Sequence, residues 1–152
     1  MKLFFGLGNP GKIYQNNRHN IGHLIIDRLP SQNNFLKTDC FMNESGIFVQ
    51  KKVNFYKVSF TDLYIIHDDL DLPVGEYRIQ FDRGPAGHHG VESIIQYLGT
   101  QKFWRIRIGI NHPTDSTPVE DYVLRPFLPE EKMIVTETVD KILAEINNLL
   151  GH

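Results

Sequence analysis

Four clusters of polar side chains in this sequence are placed to do chemistry: Asn9, His19 with Asn20, Asn43, and Asp68 together with His88 and His89. Each falls at the end of a predicted strand or the start of a predicted helix, and ligands of open α/β sheets bind beyond the carboxyl ends of the strands. A histidine there can serve in catalysis, yet ordinary readings compete. A histidine at a helix start more often caps or faces solvent, and an aspartate after a strand more often shapes a turn. Asn9 could simply form its Asn-Pro turn, and Asn43 could simply cap a helix. Asp69 and Asp71 read as turn residues.

The seven histidines raise the question of a metal. His19 and His23 have the i, i+4 spacing of a zinc pair, but no glutamate follows His19 as in a zincin helix. His88 and His89 are adjacent, so in a helix they point about 100° apart and rarely share an ion. No metal is expected. The turn Gly6-Leu-Gly-Asn-Pro-Gly11 lacks the Lys-Ser/Thr of a P-loop and the spacing of a dinucleotide fingerprint, and no cofactor is expected either. Cys40 reads as a small buried strand residue and not as a nucleophile.

Arginines form a second theme. Arg105 and Arg107 are two apart on a predicted strand and emerge on one face. Arg78 lies on another strand, Arg83 in the loop after it, and Lys102 just before the arginine strand. The planar guanidinium fork suits phosphate oxygens, although a solvated strand face is the commoner origin of such a pattern.

The elements that must position these groups follow from hydrophobic period. Residues 2–7 read as a buried strand entering the glycine turn. Ile21, Leu24, Ile25 and Leu29 predict a helix over 20–29, and Pro30 to Asn34 a loop. A short strand over 35–41 leads into a helix that ends near 55. Leu63 to Ile66 predicts a central strand ending at His67-Asp-Asp69, and Tyr77 to Phe81 a half-exposed one. Gly87 to Gly90 opens a helix with Val91, Ile94, Ile95 and Leu98 on one side. Phe103 to Ile110 predicts a strand. The last helix, over 129–150, has Glu130 and Glu131 at its positive end and a stripe of Val135, Val139, Ile142, Ile146 and Leu149. Strands alternating with helices predict one α/β domain over 1–152, a mixed, mostly parallel twisted sheet with helices on both faces.

At 152 residues the chain fits a single core. The lone cysteine excludes an internal disulfide, and no leader or spanning segment is evident, which places the protein in the cytoplasm. With a net charge of -2, any polyanionic partner must meet a local basic patch.

The motifs taken together resemble a known family, the bacterial-type peptidyl-tRNA hydrolases. Gly6-Leu-Gly-Asn-Pro-Gly11, Tyr14 and Arg18-His19-Asn20-Ile-Gly22 are similar to its opening signature. Phe41-Met42-Asn43-Glu-Ser45-Gly46, His67-Asp68-Asp69-Leu-Asp71-Leu-Pro73, Gly87-His88-His89-Gly90 and Phe103-Trp-Arg105-Ile-Arg107-Ile-Gly109 resemble four further motifs in order. The resemblance implies that His19 is the base activating water and that Asp68 orients it. It implies that Asn43 stabilises the developing oxyanion and Asn9 bonds the substrate near the scissile ester. Tyr14, Asn20, Phe41, Met42, His88 and His89 are implied around the peptide, and Arg78, Arg83, Lys102, Arg105 and Arg107 around the tRNA. The partner it implies is peptidyl-tRNA, handled by a monomer.

The chain departs from the family pattern in four places. Gln80 occupies a position of the phosphate-clamping basic pair, with Arg78 two residues away as its stand-in. His89 stands where the family has asparagine. A segment is missing between Leu29 and Phe35, and the chain ends at Gly151-His152 without a basic tail. The rival readings are an RNA-binding homologue with weak catalysis and a metal-dependent amidohydrolase built on the histidines.

Overall fold

In a computed structural model describing residues 1–151, five strands form one sheet in the order β2-β1-β3-β5-β4. The strands are β1 (Leu3–Gly6), β2 (Phe35–Lys37), β3 (Leu63–Asp69), β4 (Tyr77–Phe81) and β5 (Trp104–Gly109). All neighbours are parallel except β4, which runs antiparallel to β5. The helices are α1 (Ile21–Asp27), α2 (Ser45–Tyr56), α3 (His89–Leu98), α4 (Val119–Tyr122) and α5 (Pro129–Leu149).

Strand alternation sends two sets of side chains to opposite faces. Phe4, Tyr64, Ile66, Ile106 and Ile108 meet Ile21 and Ile25 of α1 and the α5 stripe. Leu3, Phe5, Leu63 and Ile65 meet Val49 and Val53 of α2 and Val91 and Ile94 of α3. Every residue of β1 and β3 is buried, as befits central parallel strands covered on both sides. Ile142 and Ile146 of α5 are fully buried, and each such side chain is worth about 1.5–3 kcal/mol. Glu131 begins that helix by accepting from the Leu128 N–H (2.8 Å), with Pro129 in the first turn.

Four boundaries differ from the sequence expectation. The strand expected over 35–41 stops at Lys37. Thr38 still gives its N–H to Gly6 O, but its hydroxyl turns to the Gly6 and Gly8 carbonyls and ends the ladder. Cys40 consequently lies half-buried in the following loop and not on a strand. β3 runs three residues past Ile66, because His67, Asp68 and Asp69 pair with Arg107, Ile108 and Gly109. The helix expected over 20–29 is α1, shortened to Ile21–Asp27, with a 3-10 turn over Arg18–Asn20 before it. The helix over 129–150 is α5, one residue shorter.

Glycine sets how closely α1 lies on the sheet. A Cβ at Gly22 would stand 2.4 Å from the Ile66 carbonyl oxygen and 2.6 Å from the Leu7 nitrogen. Both contacts are backbone and neither can yield cheaply. Gly22→Ala is therefore expected to cost about 1–3 kcal/mol by overpacking, read as a lower urea midpoint at unchanged slope; an unaltered midpoint would refute this close packing.

Candidate active site

The parallel topology brings the carboxyl end of β1, the turn before α1, the start of α2, the end of β3 and the start of α3 to one rim. An open pocket of about 440 Å³ lies there, lined by Asn9, His19, Met42, Asn43, Asp68, His88 and His89 among others. That volume suits part of a ligand.

Asp68 is 2% exposed and stands at the centre. Its Oδ2 is 2.8 Å from Nδ1 of His19, and its Oδ1 is 2.9 Å from Nε2 of His88. The Val91 N–H donates to Nδ1 of His88 (3.3 Å), so the His88 proton resides on Nε2 and points at Asp68. His19 likewise donates from Nδ1. Its Nε2, with no partner among the described residues, is left as an acceptor on a ring that lines the pocket.

Burial alone would push the His19 pKa down, but the charge and hydrogen bond of Asp68 outweigh it and hold it raised. For Asp68, burial favours the neutral acid, and the two histidines overturn that and keep its carboxyl well below the usual range. His67, fully buried behind them, is held well below the usual histidine value by burial, with the neighbouring His88 and Arg105 adding to it. Its ring packs edge-on against His88 at 4.8 Å between centroids, and His88 in turn lies 5.1 Å from His19.

The amide of Asn9 is oriented by its neighbours. Its Oδ1 accepts from the Met42 N–H (2.8 Å), which aims Nδ2 elsewhere as a donor. The Asn20 side chain accepts from Asn9 N and donates to Asn9 O, both at 2.9 Å. Asn20, expected at the substrate, thus spends both polar ends on the backbone of Asn9, and it is 2% exposed. Asn43 is exposed in the turn before α2 and caps neither that turn nor the helix, so its amide is available to the pocket. Phe41 is exposed and meets Tyr14 edge-on at 6.2 Å.

His89 sits at the rim with its side chain 79% exposed, 3.4 Å from Glu92. The Cys40 thiol is pushed up to about 11, first by burial and then by Glu44 and Asp39, which makes it a poor nucleophile. His23 turns away from His19 to Thr38 (3.1 Å) and forms no metal pair with it. The donor atoms of His19, Asp68 and His88 do lie within 4.8 Å of one another, close enough to hold a cation. The proton fixed on His88 Nε2 by Val91, however, suits a hydrogen bond to Asp68 and not a ligand bond.

Sequence comparison supplies the lineage. The family model described as peptidyl-tRNA hydrolase matches residues 3–38 and 31–152. The chain belongs to the peptidyl-tRNA hydrolase family. It is 47% identical to the peptidyl-tRNA hydrolase of Geobacillus thermodenitrificans (strain NG80-2), over 91% of this chain and 87% of that protein. It is 41% identical to the one from Bacillus subtilis (strain 168), over 93% and 87%. A crystal structure of peptidyl-tRNA hydrolase from Acinetobacter baumannii superposes with a TM-score of 0.88 at 27% identity, covering 97% of this chain and 87% of that one. No helix among the described residues is long and apolar enough to cross a membrane.

The basic residues of this family member do not form one exposed patch. Arg105 is 2% exposed and donates to Gly84 O, because the loop after β4 folds over it. Its surface role is thereby corrected to a buried support, and burial, reinforced by Arg107, lowers its pKa to about 10. Arg107 is half-buried between Asp69 (2.6 Å) and the side-chain oxygen of Gln80. Arg78 faces Arg107 directly across the β4–β5 ladder and is exposed, as are Arg83 and Lys102.

Two features escaped the sequence reading. The bond from His88 to Asp68 depends on where α3 begins relative to β3, which no spacing reveals. The wall formed by Val119, Glu120, Val123 and Leu124 comes from a segment whose only helix is four residues long and carries no period.

The opposed effects on His19 give a measurable sign. In an NMR titration its midpoint should lie above the ordinary value of 6.5 in the intact protein. Asp68→Asn should bring it below that value, since burial then acts unopposed; equal midpoints would contradict the pairing.

Proposed function

We propose that this chain hydrolyses the ester joining a peptide to tRNA, with His19 as the general base. The observation that carries the proposal is the Asp68-oriented His19, whose free Nε2 belongs to the pocket in a member of this family. Nε2 takes a proton from water while the water oxygen attacks the ester carbonyl carbon. Nδ2 of Asn9 and the amide of Asn43 are the donors available to the oxygen on which charge develops. The bond to the ribose oxygen then breaks, and that oxygen receives the proton from His19. The products are a peptide acid and a tRNA freed for reuse in translation.

Asp68 stabilises the imidazolium formed in the first step and keeps the tautomer that can accept a proton. His88 holds the other carboxylate oxygen, so Asp68 cannot rotate away from His19. Met42 and Phe41 supply apolar wall for the peptide, with Tyr14 behind Phe41. Exposed Arg78, Arg83 and Lys102, together with Arg107, receive tRNA phosphates, Arg78 standing in for the neutral Gln80. The chain acts as a monomer in this reading and meets its substrate in the cytoplasm, where translation supplies it.

The test is hydrolysis of N-acetyl-aminoacyl-tRNA by the intact protein and by His19→Ala. Removing a general base is expected to lower kcat by about 10²–10⁴-fold. Retained activity in the variant would remove His19 from this role, and an inactive wild type that still binds tRNA would replace the enzyme with an RNA-binding protein.

His89 adds a second expectation. An imidazole can take up a proton in acid, which the asparagine of the family pattern cannot. The rate of the wild type and of His89→Asn, followed from pH 5 to 9, should give profiles of different shape. Superimposable profiles would show that this substitution is silent.

A further inference from the structure

The segment 114–126 supplies one wall of the pocket, yet it has almost no hydrophobic hold on the protein. Only Val123 within it is buried, and α4 buries no residue at all. What fastens it is polar and converges on the residue next to the base. The Arg18 N–H donates to Arg125 O (3.0 Å), the His19 N–H donates to Val123 O (2.9 Å), and Asn17 bridges to Pro126.

Arg18 is the group that ties these strands of contact together. Its side chain is 3% exposed and reaches outward from the turn before α1 under the segment. Nη1 donates to the Tyr122 carbonyl (3.0 Å), and the guanidinium carbon lies 3.8 Å from the centroid of the Tyr122 ring. Nη2 meets Glu131 Oε1 (3.4 Å), the same carboxylate that starts α5 and receives a bond from Asn111. The Tyr122 hydroxyl is itself pinned to Ile110 O (2.6 Å) at the end of β5. A buried guanidinium with both ends of its fork engaged is hard to replace, because losing it removes the cation facing Glu131 and one of the two donors to the Tyr122 carbonyl, whose other is the Arg125 N–H.

We infer that Arg18 is a positioning residue for substrate binding: it clamps the segment 119–125 across the pocket beside His19 through Tyr122 and Glu131. The clamp acts on the wall that faces substrate and makes no bond to the side chain of His19 or Asp68, so it governs affinity more than the chemical step. The inference about rate rests on the hydrolase reading above, whereas the inference about the segment does not.

The experiment therefore has two arms, using the full chain. Hydrogen exchange reads the clamp directly. In Arg18→Met, a substitution that keeps an unbranched apolar stem without the fork, the amides of Arg18, His19 and 122–125 should exchange at least tenfold faster. Those of α2 and α3 should keep their wild-type rates. Kinetics with N-acetyl-aminoacyl-tRNA should show KM raised about tenfold, kcat within threefold, and the pH profile unmoved. Arg18→Lys, which keeps the charge toward Glu131 but not the planar fork, should fall between. If Arg18→Met does not fold, Arg18→Lys and Tyr122→Leu provide the same comparison.

Exchange unchanged at 122–125, or accelerated equally across the whole domain, would overturn the clamp. A fall in kcat at constant KM would assign Arg18 to general stability and overturn its positioning role. If the wild type itself lacks hydrolysis, the function fails on its own account, and the exchange arm still decides the clamp.

Discussion

One carboxylate buried between two imidazoles organises this site. An ion at 2% exposure is tolerable only when its charge is matched by donors, and both oxygens of Asp68 have one. The arrangement constrains everything around it. β3 must continue far enough to carry Asp68 under the rim, α3 must begin where His88 can be fixed by the Val91 N–H, and α1 must lie close enough for His19 to reach back. The glycine contact between α1 and the sheet serves that last requirement. Because the two histidines share one partner, the position of either ring depends on the carboxylate that the other also holds.

The strands, the long helix and the layer arrangement were legible in the sequence because they are driven by hydrophobic period, as in the fully buried β1 and the stripe of α5. The membership of the site was legible through motifs, which mark residue types but not their contacts. Asn20 shows the difference. The motif placed it near the substrate, whereas a reciprocal pair of bonds gives its whole amide to Asn9. Arg105 shows it again, since alternation correctly assigns it to the face of Arg107 but says nothing of the loop that covers it. The end of β2 and the segment 114–126 were illegible for a physical reason, as polar side-chain bonds and backbone bridges set them and these carry no periodic signature.

The basic face is consequently uneven. Across the β4–β5 ladder, Arg78 opposes Arg107 and Gln80 opposes Arg105, so four polar residues share one surface of the sheet. Asp69 offsets the charge of Arg107, and the loop from Asp82 to Gly87 hides that of Arg105. What remains toward solvent is a sparse set of flexible cations, which suits contacts to a phosphate backbone that fix orientation without reading sequence.

The close tie between Arg18 and Tyr122 joins residues 104 positions apart, and the bond from His19 to Asp68 spans 49. Contacts so distant along the chain must overcome a large loop-closure entropy before they form. Completion of the pocket therefore depends on the C-terminal quarter of the chain, which supplies Val119, Glu120, Val123 and Leu124 to a rim whose polar groups, Asn9, His19, Asn43, Asp68, His88 and His89, all come from its first ninety residues.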